Sequence, residues 1–114
     1  MRGHMQTYLV ERYLPEAAGL GPNDIAGRAE AAAAAMRLEG VPIRYLGSTL
    51  APADESCLCV FEAPTEQAVR ETNDRAGLAY ERIVEAVLAP SPPPEGVEMV
   101  RADVPEPSRG EGER

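Results

Sequence analysis

The stretch ESCLCVFEAP, Glu55–Pro64, holds the only two cysteines of the 114-residue chain, one residue apart. It can be a metal site, a redox pair or a buried strand. Residues two apart in a strand share a face, so Cys57, Cys59 and Phe61 form one row and Leu58, Val60 and Glu62 the other. A strand also holds the two Cβ atoms parallel, with the Cα atoms near the upper limit for a disulfide, which disfavours a bond between them. Structural zinc wants four ligands, usually from pairs spaced two to four residues apart. Unmodified cysteine is among the most buried residue types. The residues therefore favour a core strand first, a share in a soft-metal site second and redox chemistry last.

Working outward, Pro64 ends this strand and Thr65 is a good N-cap for a helix over EQAVRETNDRA, which stops at Gly77. YERIVEAVL, Tyr80–Leu88, reads as a further strand closed by Pro90. Upstream, VPIRYLGSTL (Val41–Leu50) is a strand joined to the cysteine strand by the polar turn APADE. QTYLVERYL (Gln6–Leu14) is the first strand, stopped by Pro15. Between them a helix capped by Asn23 or Asp24 runs to about Glu39, with Gly40 suited to a left-handed end. Ile25, Ala29, Ala32, Ala33 and Met36 fall on one of its faces. The order strand, helix, strand, strand, helix, strand is a split βαβ pair, an α+β ferredoxin-like βαββαβ fold with an antiparallel sheet.

This places one domain at residues 6–89. Residues 90–114 are rich in proline, glycine and acid and read as a mostly disordered tail, with VEMVRADV a short β-prone segment inside it. MRGHM, residues 1–5, resembles a cloning junction or a disordered start, which would make Met5 the natural beginning and His4, the sole histidine, foreign. A net charge of -8 with arginines scattered along the chain argues against nucleic-acid binding. No run approaches the ~18 apolar residues of a membrane span, and no leader is evident, so the cytoplasm is the expected compartment. A packed unit this small is marginally stabilised by its own core, which favours oligomerisation.

In such a sheet the helices cover one face and leave the other open. The open face is expected to be largely apolar, carrying Leu9, Tyr13 and Ile83 or the residues alternating with them. Two such faces together would form a dimeric α+β barrel with a shared interior. The first and last strands are neighbours in this topology, so Glu11 and Glu85 are expected near one another, with Tyr13 and Tyr45 as cavity residues and Glu62 on the opposite row unless the register differs. Clustered carboxylates suit acid–base work or a divalent metal. The competing and favoured reading pairs Glu11 and Glu85 with Arg12, Arg44 or Arg82, or sends them to solvent at the barrel rim. Glu66 with Arg70, and Glu71 with Arg75, are spaced for a solvated, internally paired helix face.

The strings YLVERYLP, IRYLGSTLAPADESCLCVFEAPTEQAVRE and NDRAGLAYERIVEAV together resemble a small bacterial ferredoxin-like family described as nickel-responsive or nickel-binding, otherwise a domain of unknown function, over about residues 6–88. The resemblance implies a dimeric barrel and binding of nickel or another divalent metal, with no organic cofactor. It supplies no ligand motif that transfers residue by residue. The donors nominated here are Glu11, Glu62, Glu85, Cys57 and Cys59. Two other functions stay open: a cofactor-free monooxygenase- or isomerase-type enzyme using the barrel cavity, by fold analogy alone, and an interaction module whose proline-rich tail docks a partner.

Overall fold

The computed structural model describes residues 4–94. The C-terminal segment VEMVRADV and most of the tail lie outside the described residues. The elements are β1 (Gln6–Tyr13), α1 (Pro22–Leu38), β2 (Arg44–Ala51), β3 (Ser56–Ala63), α2 (Glu66–Ala76) and β4 (Arg82–Ala86). They build one four-stranded sheet in the order β2-β3-β1-β4, every pairing antiparallel. This order is compatible with the ferredoxin-like arrangement.

Both helices end as their sequences dictate. α1 starts two residues earlier than an Asn23 cap predicts and three earlier than an Asp24 cap: Pro22 takes the first helical position, where its missing N–H costs nothing. Gly21 is the cap residue, and its N–H donates to Asp24 Oδ2 at 2.8 Å. At the other end Gly40 turns left-handed (φ 96°), and the N–H groups of Gly40 and Val41 donate back to the carbonyls of Arg37 and Met36. α2 is capped by Thr65, whose Oγ1 accepts from the Ala68 N–H at 3.1 Å. The buried face of α1 is the expected one: Ile25, Ala29, Ala32, Ala33 and Met36.

Two strands are shorter than the sequence suggests. β2 begins at Arg44, not Val41, because Val41 finishes the α1 cap and the Ile43 carbonyl is taken by Arg37 Nη1 at 2.9 Å. β4 pairs with β1 only from Arg82 to Ala86, so Val87 and Leu88 run past the ladder and stand exposed.

β2 also carries a bulge. Tyr45 pairs with Phe61 and Gly47 with Val60, leaving Leu46 as the extra residue. The shift lets Tyr45 and Ser48, three apart, both face the helices. The core lies between the helices and one sheet face, built on Phe61, Val10, Tyr8, Cys57, Cys59, Ile25, Met36, Ile43 and Val69. The cysteine row is thus a core strand face, as the alternation of ESCLCVFEAP implies.

Candidate functional site: a buried thiol layer and an open sheet face

Under the helices, Arg12 is an unusual core member at 3% exposure. β1 alternation puts it on the same face as Tyr8 and Val10, and it pairs in register with Cys57. No carboxylate among the described residues lies within ion-pair distance of it. Its guanidinium instead donates to the carbonyls of Leu78 (3.3 Å) and Ala79 (2.8 Å), to Asn73 Oδ1 (2.6 Å) and to Cys59 Sγ (3.4 Å). Its buried Nε–H has no partner among the described residues. Asn73 is held in place by donating from Nδ2 to the Val69 carbonyl within α2.

Cys59 Sγ also accepts from Ser48 Oγ at 2.9 Å, and that hydroxyl lies 2.5 Å from Tyr45 Oη. Cys57 Sγ sits 3.9 Å from Cys59 Sγ. Both cysteines are free. Burial pushes the Cys57 thiol up to about 11, the neighbouring Cys59 adding to the rise and Arg12 opposing it. Tyr45 is raised as well, chiefly by burial.

Among the described residues no helix covers the opposite sheet face. Register puts Thr7, Leu9, Glu11 and Tyr13 of β1 there, with Ser56, Leu58, Val60 and Glu62 of β3 and Arg82, Val84 and Ala86 of β4. Leu9, Leu58, Val60 and Val84 make an apolar centre. Its charged rim is paired: Glu11 Oε1 and Oε2 accept from Arg82 at 2.9 and 3.0 Å, and Glu62 accepts from Arg44 at 3.1 Å.

Several expected placements differ. Glu85 pairs with Tyr8, so it lies toward the helix side of the β4 edge and not beside Glu11; its charge helps raise the Tyr8 pKa, after burial. Ile83 pairs with Val10 and is on the covered side, with Val84 taking the open position. Glu62 shares the face of Glu11. Tyr13 and Tyr45 cannot line one chamber: Tyr13 is on the open face, while the Tyr45 ring packs on Phe61 with centroids 5.4 Å apart. The reason is common to all four. Alternation states which residues share a face, whereas the pairing partner decides which face it is. The predicted helix-face pairs, Glu66–Arg70 and Glu71–Arg75, are present, with Glu39 joining Arg75.

At one end of the open face lies a cleft of about 390 Å³ whose lining includes Glu11, Tyr13, Asp54, Glu55, Cys57 and Glu81. Sequence reasoning passed over Asp54, Glu55 and Glu81 because they sit in turns, which carry no periodicity. Glu55 has a left-handed backbone (φ 53°), rare for a side chain of this kind and forced by the tight β2–β3 turn. Its carboxylate accepts from Tyr13 Oη at 3.1 Å, which raises the tyrosine pKa.

The Arg82 hydrogen bonds hold the Glu11 carboxyl below its ordinary value. A depressed carboxylate contributes stability that is complete above the unfolded glutamate pKa, about 4.3, and is lost as pH falls through the folded value. Urea unfolding of Glu11→Gln is therefore expected to show a small loss at pH 7 that fades as pH falls below the unfolded glutamate value. A constant difference across that range would show that Glu11 acts by packing alone.

Among the described residues, no three or more His, Cys, Asp or Glu side chains gather closely enough to hold a metal ion. His4 is exposed at the chain start. No described helix is long and apolar enough to cross a membrane.

Comparison with curated proteins gives no match. Among solved structures, the crystal structure of SCO4226 from Streptomyces coelicolor A3(2) superposes with a TM-score of 0.58 at 20% identity, covering 74% of this chain and 99% of that one. At that identity the likeness speaks to the fold. The sequence itself matches the SCO4226-like model, described as nickel responsive protein SCO4226-like, over residues 8–86, and the chain belongs to that family.

Proposed function

We propose that this chain works as a cytoplasmic homodimer that takes up nickel or another divalent metal with donors drawn from both copies. The observation that carries the reading is the open sheet face: an apolar centre of Leu9, Leu58, Val60 and Val84 inside a rim of paired charge, in a domain too small to be strongly stabilised alone. Family membership supports the metal. Among the described residues one protomer does not gather a donor set, and a second copy can complete it. Glu11 and Glu62 on the open face, with the cleft carboxylates Asp54, Glu55 and Glu81, are the donors that a facing copy can reach. The free cysteines accord with a reducing compartment.

Val60→Asp tests this, because it puts a charge at the centre of the apolar patch without touching the helix-covered core. Sedimentation equilibrium of the full chain carrying His4→Ala is expected to report a dimer that binds nickel in calorimetry. The Val60→Asp form is expected to be monomeric and to lose the nickel heat. A monomeric parent, or a monomeric variant that still takes nickel, sinks the reading.

A further inference from the structure

We propose that Cys57, Cys59 and Arg12 form a buried site for one soft monovalent metal ion, cuprous copper being the fitting case. The site lies inside a single chain, so it stands apart from the nickel reading above.

Geometry comes first. Two thiolates sharing one ion through bonds of about 2.3 Å lie roughly 3.8 Å apart at a tetrahedral angle and about 4.6 Å apart when linear. The Sγ atoms of Cys57 and Cys59 are 3.9 Å apart, side by side on one strand face. The parallel Cβ vectors that disfavour a disulfide are those a chelate wants.

Charge then selects the ion. Arg12 is a buried cation with no carboxylate in reach among the described residues, and its Nε–H is an unpaired donor. Two thiolates and one guanidinium sum to a single negative charge, so a monovalent ion makes the set neutral. A divalent ion leaves one uncompensated positive charge in a place where Cys57 and Cys59 are 1% and 0% exposed, and a buried unpaired charge is costly. Ligand type agrees. Thiolate sulfur selects copper(I), whereas zinc or nickel would want further nitrogen or oxygen ligands. Ser48 Oγ, the other close neighbour of Cys59, is neutral.

Loading exchanges protons for metal: two S–H bonds break, two S–Cu bonds form, both protons leave to solvent and no electron moves.

The test is anaerobic transfer of copper(I) from its bathocuproine disulfonate complex to the full-length protein, followed by the loss of the complex's colour. One copper per chain is expected, with both sulfurs in its shell in X-ray absorption, and not displaced by equimolar nickel or zinc. Cys57→Ala and Cys59→Ala should each abolish uptake, while the monomeric Val60→Asp form keeps it; that result separates this site from the dimer proposal. Copper retained by the doubly substituted chain, displacement by nickel or zinc, or an oxygen- or nitrogen-rich shell overturns the assignment. Should the alanine variants fail to fold, the absorption spectrum of the unaltered protein decides alone.

Discussion

Replacing Arg12 with methionine is expected to lower stability by about 3 kcal/mol, a large share of the roughly 5–10 kcal/mol available to a domain of this size. The guanidinium spans from β1 to the end of α2 and the approach to β4, through Asn73 Oδ1 and the Leu78 and Ala79 carbonyls. A buried acceptor that loses its donor costs about 1–3 kcal/mol, and three are affected. Relief from burying an unpaired cation offsets part of that loss. The urea midpoint should fall with an unchanged slope. Amide protection should drop first in residues 78–86, since β4 is the short edge strand pinned by these bonds. A loss below about 1 kcal/mol would mean that desolvation cancels the network, leaving Arg12 without a structural role.

Phe61→Ala is expected to cost still more, about 3–5 kcal/mol. Phe61 is the only phenylalanine of the chain and is fully buried in the strand second from the β2 edge. It pairs with Tyr8 on one side and Tyr45 on the other, and the tilted Tyr45 ring is in aromatic contact with it. Alanines dominate the α1 surface above the sheet, so few large side chains are at hand to fill the space. Phe61→Leu keeps much of the volume and should cost about 1.5 kcal/mol or less. Chemical denaturation of the two variants side by side measures the gap, and near-equal losses would show that the core collapses around the cavity.

The two substitutions probe what was unequally visible in the residues. Phe61 and the cysteines were legible as a buried row because strict alternation over Ser56–Ala63 leaves one arrangement for them. Arg12 was read only as a candidate partner for acidic neighbours. A charged residue on an inward row contradicts the usual pattern, and its acceptors, more than sixty positions away, leave no local trace. The same holds for the acidic cleft. Asp54 and Glu55 come from the β2–β3 turn and Glu81 from the approach to β4, and only the β1 pairings bring them to one end of the sheet.

The amino-acid order by itself determined the succession of elements, the buried face of α1, the Thr65 and Gly77 boundaries of α2 and the shared face of Cys57, Cys59 and Phe61. These follow from local periodicity, capping chemistry and the left-handed freedom of glycine. The tertiary structure alone decided which face Glu62, Ile83 and Glu85 occupy, where β4 stops, and that Tyr45 and Ser48 both reach the core across a bulge. A one-residue shift in pairing reverses every side chain of a strand, and pairing is settled by a partner distant in sequence.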